Sequence, residues 1–345
     1  MSEILAPCGA MESLTAAVNA GADAVYLGEE YFSARKNADN FTAEQLCDAV
    51  RFCHYSGVKV YVTLNTLVFD REIPLLAKAI ENCAKADVDA FIVQDMGVAR
   101  LSRQIVPELP LHASTQMTVN SPEGAIMAKE LGFTRVVLGR ELSLAQIKAI
   151  TESCDIETEL FVHGALCVCI SGQCYMSSVL GGRSGNRGLC AQPCRLDFTS
   201  GDRHNVLSLK DLSLTEKLPE LAKAGITSFK IEGRMKRPEY VAGAVNACRV
   251  ALDGGTPDLI SLKNVSPSDE FMLRSVFSRS GFTSGYFDDD FKNMQGVRTK
   301  DDVTSATSKV LSAMKQYYHK PFRRFPADIT VNVKSGQPVC YKLSA

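Results

Sequence analysis

A short phrase recurs along this chain: a helix-like stretch, a glycine or small turn, then a brief apolar run rich in β-branched residues. Gly21–Gly28, Gly57–Leu64, Val88–Gln94, Gly132–Leu138 and Gly225–Ile231 all carry it, and Ile4–Ala6, Leu111–Ser114 and Glu157–Val162 supply three further strand-like runs. A glycine closing a helix provides the left-handed residue that turns the chain back into a strand. Thr42–Gln45 and Ser143–Gln146 have the capping-box spacing that opens a helix. Strands apolar on both faces, alternating with helices, imply a parallel sheet covered by helices. Eight of them predict an α/β fold of the (β/α)8 TIM-type barrel class. A doubly wound open sheet is the competing arrangement, weakened because no G-x-G-x-x-G follows the first strand.

Length agrees: one barrel takes roughly 250 residues, and this chain has 345, leaving room for an insertion and an extension. The spacing divides it into a barrel over 1–255 with a cysteine-rich insertion at 164–226 after strand seven, a C-terminal extension at 256–325, and the start of a truncated β domain at 326–345. The net charge of −1 argues neither for nor against a polyanionic partner. No apolar run approaches the roughly 18 residues that span a bilayer, and no secretory signal opens the chain. The expected location is cytoplasmic, with no membrane partner. In that reducing compartment twelve cysteines suit a metal or thiol chemistry better than disulfides.

The rhythm breaks after strand seven, where the insertion begins. A segment following a barrel strand is a βα loop, and those loops build the catalytic face. Five cysteines fall there: Cys167, Cys169, Cys174, Cys190 and Cys194, among glycines at 164, 172, 181, 182, 185 and 188. Four converging thiolates suit an iron–sulfur cluster or a zinc ion. Cys190 and Cys194 are spaced as a zinc pair would be, but Cys167 and Cys174 are too far apart, which favours the cluster. One thiol is in excess; Cys169 is the first choice, although spacing leaves it open. Inert buried thiols or a redox disulfide pair are the alternatives. Cys47, Cys53, Cys83 and Cys248 fall on predicted helices as small core residues. Cys8 follows the first strand, either facing the mouth or packed in its turn.

These segments are familiar. Glu159–Cys167, continuing through Ser171-Gly-Gln-Cys174-Tyr-Met-Ser177, resembles the signature of the collagenase-like peptidase family of unassigned catalytic type, the U32 family. Leu5-Ala-Pro-Cys-Gly9, Gly21–Gly28 and Phe229-Lys-Ile-Glu-Gly-Arg234 match as well, so the resemblance runs from residue 3 to about 250. Gly182–Arg195 and His112-Ala-Ser-Thr-Gln116 are most similar to its bacterial RNA hydroxylase branch. The resemblance implies a 4Fe–4S cluster on Cys167, Cys174, Cys190 and Cys194. It also implies prephenate-dependent hydroxylation, giving 5-hydroxycytidine in ribosomal RNA or 5-hydroxyuridine in tRNA. Cys8 and Cys169 depart from the family pattern; neither removes a ligand.

Polar residues at strand C-termini are the catalytic candidates: Gln94, His112, Arg140, His163, Lys230, Glu232 and Arg234, with Asn65, Asp95, Gln116 and Glu141 beside them. His163 stands immediately before the cysteines. Lys230 and Glu232 share one strand face, since side chains alternate with period two; inside a barrel such charges are neutralised or functional. From Arg183 to Arg237 there are 11 Lys/Arg and 6 Asp/Glu, a local +5, placed where RNA phosphates could be held. Two further functions compete. A collagenase-like peptidase would need a free Cys–His pair from Cys8 or Cys169 with His163 or His112; no H-E-x-x-H or G-x-S-x-G is present. A zinc-stabilised binding module would need zinc on the thiols. Beyond the barrel, Phe277–Tyr286 resembles a family extension packed beside it. Asp301–Tyr318 reads as one helix, Phe322–Pro326 as the start of a new segment, and Ile329–Lys342 as a hairpin about a Ser-Gly turn.

Overall fold

Eight parallel strands close into a ring in the computed structural model, which describes residues 2–36, 38–253, 273–289, 291–315, 318, 328–333 and 340–344. They are β1 (Glu3–Pro7), β2 (Ala24–Leu27), β3 (Lys59–Leu64), β4 (Ala90–Val93), β5 (Leu111–Ala113), β6 (Arg135–Val137), β7 (Glu157–Ala165) and, after one intervening strand, β9 (Ser228–Ile231). Each pairs with the next, and β9 joins β7 on one side and β1 on the other, with Leu5 opposite Lys230. The ring is a (β/α)8 barrel, as the alternation predicts.

The glycines act as expected at the helix ends: Gly21, Gly57, Gly132 and Gly225 all have positive φ, and Asp87 takes that role before β4. Helices α1 (Met11–Asn19), α2 (Ala43–Tyr55), α3 (Ile73–Lys85), α4 (Met96–Ile105), α5 (Pro122–Glu130) and α6 (Leu144–Ser153) follow the first six strands. The capping box at Thr42–Gln45 is complete, and at α6 the Gln146 carboxamide accepts from the Ser143 N–H. After β9, α9 (Pro238–Leu252) packs against α1 and closes the outer layer. The main core lies between strands and helices. Inside the ring the apolar cluster is small: Leu5, Ala24, Tyr26, Tyr61, Ala90 and Ile92.

Charge fills the rest of the interior. Arg135 donates to Glu3 (2.7 Å), Glu157 (2.8 Å) and Glu159 (3.2 Å), and Lys230 pairs with Glu159 at 2.6 Å. Tyr61 and Ser228 also donate to Glu3. Because most of these residues lie at strand N-termini, the network plugs the barrel end opposite the loops.

Strand β7 runs past the ring. A bulge between Phe161 and His163 shifts its register against β9, and Gly164 and Ala165 pair instead with antiparallel β8 (Asp211–Ser213). The insertion therefore holds a strand of its own and a short helix, α7 (Met176–Gly181), and the short α8 (Leu218–Lys223) leads back to β9. The extension packs beside this strand, with β10 (Phe282–Thr283) parallel to β8. The single helix expected over Asp301–Tyr318 is instead two, α10 (Lys300–Thr304) and α11 (Ser308–Lys315). Ser305 Oγ donates back to the Asp302 carbonyl while Thr307 Oγ1 accepts from Val310 N–H, so hydroxyl side chains end one helix and start the next. The predicted hairpin is present as β11 (Asp328–Asn332) and β12 (Cys340–Ser344); its Ser-Gly turn, 254–272 and Phe322–Pro326 lie outside the described residues. Among the described residues no helix is long and apolar enough to cross a membrane.

Candidate active site

The insertion lies across the loop end of the barrel and is fastened to it on several sides. Arg187 forms a two-pronged pair with Glu72 (2.7 and 2.9 Å) and donates to Leu67 O. Ser171 donates from its N–H and hydroxyl to Glu141, and its Oγ accepts from Arg140 N–H. Thr118 Oγ1 donates to Ser171 O at 2.8 Å. Two glycines permit this closeness: a Cβ on Gly172 (φ +79) would lie 2.3 Å from Gln116 O, and one on Gly188 (φ +76) 2.7 Å from Ser33 O.

Beneath this lid the mouth is cationic. Glu232 is set by the backbone just past β9, its N–H bonded to His163 O, and it pairs with Arg35 at 2.8 Å. Burial opposes its ionisation, but Arg35, Arg140 and Arg234 together hold its carboxyl below the usual range. Arg234 donates to Ser33 Oγ (2.6 Å) and Thr63 Oγ1 (3.0 Å). Burial, then Arg35, lower its pKa to about 10, so it stays charged at neutral pH. Gly28 makes room for it, since a Cβ there would meet Arg234 Nη1 at 2.7 Å. The floor is aromatic: Lys230 Nζ lies 4.4 Å from the Tyr26 ring, and Arg140 lies over Phe161 at 5.1 Å. Burial pushes the Lys230 ammonium down, against Glu159. Polar atoms without partners cluster here: Gln94 Oε1, Gln116 Oε1 and Arg140 Nε are buried and unbonded among the described residues. An anionic oxygen would satisfy Arg140 Nε, and a hydroxyl or N–H donor the two carboxamide oxygens.

The candidates therefore divide. Arg140 and Arg234 gather at Glu232 at the mouth, Gln94 follows β4 at the same end, and Lys230 lies deeper, paired with Glu159. His112 sits deeper, edge-on to Tyr61 at 4.8 Å. Burial, then Arg135 and Lys230, hold its imidazole neutral, well below the ordinary value. His163 does not reach the mouth, contrary to expectation. The β7 bulge pairs it with Ile231 and turns its ring outward onto Tyr240 (5.7 Å) and Phe282 (5.1 Å). Both its nitrogens lack partners among the described residues, and burial lowers its pKa to about 4. Asp95 caps α4 through Gly97 N–H, Asn65 accepts from Ala34 N–H, and Glu141 anchors the lid. Cys8 is fully buried, and of the other thiols only Cys53 raises its pKa; it does not face the mouth. Arg35, Ser33 and Thr63 were not anticipated. The one available signal was the long loop after β2, which carries Arg35 and Lys36.

The lid thiols converge. Cys194 is within electrostatic reach of Cys167, Cys190 and Cys174, and Cys169 interacts with Cys174 and then Cys167. Gln192 N–H (3.3 Å) and Ser177 Oγ (3.9 Å) donate to Cys190 Sγ. The field of Cys167 reaches Arg35, linking lid and mouth. Among the described residues no three His, Cys, Asp or Glu side chains close around a single-ion site. Sulfur donors of this kind suit soft or borderline metals.

A family model described as peptidase family U32 matches residues 9–295. The 23S rRNA 5-hydroxycytidine synthase of Escherichia coli is 43% identical over 259 residues, covering 73% of this chain and 39% of that protein. The tRNA hydroxylation protein P1 of Bacillus subtilis is 38% identical, covering 74% and 64%. The chain thus spans two fifths to two thirds of these relatives. A collagenase of Porphyromonas gingivalis is 35% identical, covering 83% and 73%. A solved structure, that of the U32 peptidase Mk0906, aligns at 15% identity with a TM-score of 0.47, over 68% of this chain and 93% of that one.

Proposed function

The chain belongs to peptidase family U32, and on that footing we propose that it is an iron–sulfur-dependent enzyme hydroxylating a pyrimidine base of RNA at the barrel mouth. The observation that carries this reading is the gathering of Arg35, Arg140 and Arg234 around Glu232 beneath a lid of converging thiols. Relatives named for 5-hydroxycytidine synthesis in 23S rRNA and for tRNA hydroxylation support it.

Each residue has a task in this scheme. The guanidinium groups pair with carboxylates, so an acidic oxygen donor such as prephenate is held by Arg35, Arg140 and Arg234. Glu232, kept ionised, orients Arg35. The Gln94 and Gln116 carboxamides complete the polar wall, and the Tyr26 and Phe161 rings seat the Lys230 and Arg140 cations. His112 stays a neutral imidazole below the floor, and Lys230 a fixed cation beside Glu159. The target base must leave its stack to enter under the lid. A 4Fe–4S cluster on Cys167, Cys174, Cys190 and Cys194 would supply electron transfer or a Lewis-acidic iron.

Two measurements test the scheme. Anaerobically purified protein is expected to carry about four iron and four sulfide, lost in Cys167→Ala and Cys190→Ala. Ribosomal RNA and tRNA from cells without the protein are expected to lack 5-hydroxycytidine or 5-hydroxyuridine, and whichever is missing names the substrate. Stoichiometric zinc, or both nucleosides retained, overturns it. Collagenolysis gains nothing from this geometry. The contacts of His112 and His163 are aromatic rings, and neither histidine is paired with a cysteine among the described residues.

A further inference from the structure

A second group of cations lies at the rim, on the far side of the barrel wall from the Arg35–Glu232 pair. Lys236, in the loop after β9, and Arg279 and Arg298, in the extension, all surround one ring, that of Phe277. Lys236 Nζ lies 2.7 Å from its centroid, and the guanidinium carbons of Arg279 and Arg298 at 5.2 and 4.8 Å. Arg279 spends a guanidinium edge on Asp211, whereas Arg298 forms no ion pair among the described residues and keeps its N–H groups for whatever approaches.

The charge is not balanced. Two carboxylates act on Lys236, and both are engaged elsewhere, Asp211 with Arg279 and Glu232 with Arg35. Lys236 itself forms no ion pair among the described residues. Burial, then Arg279, push its ammonium down to about 7, as expected of a cation short of a counter-charge. Three cations brought together around one ring against a single shared carboxylate cost electrostatic energy that a bound anion would remove.

We propose that Lys236, Arg279 and Arg298 form a phosphodiester-binding site that holds the RNA backbone at the rim while the base enters the mouth. This rests on the RNA reading above and deepens it. A phosphodiester fits better than a buried small anion because Arg298 is exposed, leaving the site open on its outer side. The site also adjoins the lid, because Lys210 N–H bonds to Met294 O and Ser208 Oγ donates to Gly296 O. The backbone of a strand lying here runs beside the cysteine segment.

The test is RNA affinity against salt, using the full chain and a fluorescent single-stranded RNA 20-mer. The variants are Lys236→Ala, Arg298→Ala and the double variant. The double variant is expected to bind about tenfold more weakly at every sequence, with the slope of log K against log salt smaller by about 1 to 2. Iron content and thermal midpoint should not fall, since no ion pair is broken. Wild-type binding with unchanged affinity and slope in the double variant overturns the site and leaves the RNA reading standing. Failure of the wild-type chain to bind RNA even at low salt overturns both. Stabilisation by inorganic phosphate that depends on Lys236 and Arg298, without any change in RNA affinity, makes it a small-anion site and overturns the backbone assignment.

Discussion

Glu159 has no exposed surface and bonds to both Lys230 and Arg135. Removing one partner of a buried pair costs more than the pair contributes, because the remaining charge stays desolvated. Lys230→Met is therefore expected to lower stability by about 3 kcal/mol, the low end for such a loss because Arg135 still serves Glu159. Lys230→Met combined with Glu159→Gln should recover much of it, and urea unfolding reads both. His163 makes the opposite case. The unfolded imidazole takes a proton near its ordinary value of 6.5 and the folded one only near 4, so the unfolded state binds more protons between them and stability falls as pH drops through that window. His163→Phe is expected to remove that slope in pH-dependent unfolding and to retain nucleoside hydroxylation. Loss of hydroxylation with the fold intact would return His163 to the chemistry.

At the scale of elements, the lid is the part whose attachment can be loosened. Hydrogen bonds from Arg187 hold the Glu72 carboxyl down to about 2 against an ordinary value of 4.5. A depressed carboxylate stabilises above its unfolded pKa and loses that contribution as pH falls through the folded one. The lid fastening is thus fully present above about pH 4.5 and fades toward pH 2. Glu72→Gln should reproduce the loosened lid at neutral pH, read as faster proteolysis within 166–205 and unchanged cutting elsewhere. Gly172→Val, with a Cβ 2.3 Å from Gln116 O and a positive φ, should displace the lid more severely and lower iron content.

The lid also marks how far the sequence could be read. All eight barrel strands were legible because apolar runs and helix-ending glycines are local signals, and so was the position of the cysteine segment after the seventh. His163 was misplaced because a one-residue bulge reverses which side a side chain faces, and nothing near it in sequence announces the bulge. Arg35 was missed for a different reason. Its partner Glu232 is 197 residues away, and a pairing at that distance leaves no pattern in either segment.

For the molecule as a whole, the two ends of the barrel are unlike. The loop end carries the mouth, the lid and the rim cations, while Glu3, Arg135, Glu159 and Lys230 lock the other end with salt bridges. A barrel open at one end alone would impose a queue on the proposed reaction: a small donor held beneath the lid would have to arrive before the nucleic acid that corks the entrance, and its spent remnant would depart only after the RNA had left. Order of mixing should therefore matter in a single turnover: chain preloaded with donor reacts at once on meeting RNA, and chain preloaded with RNA waits for it to dissociate.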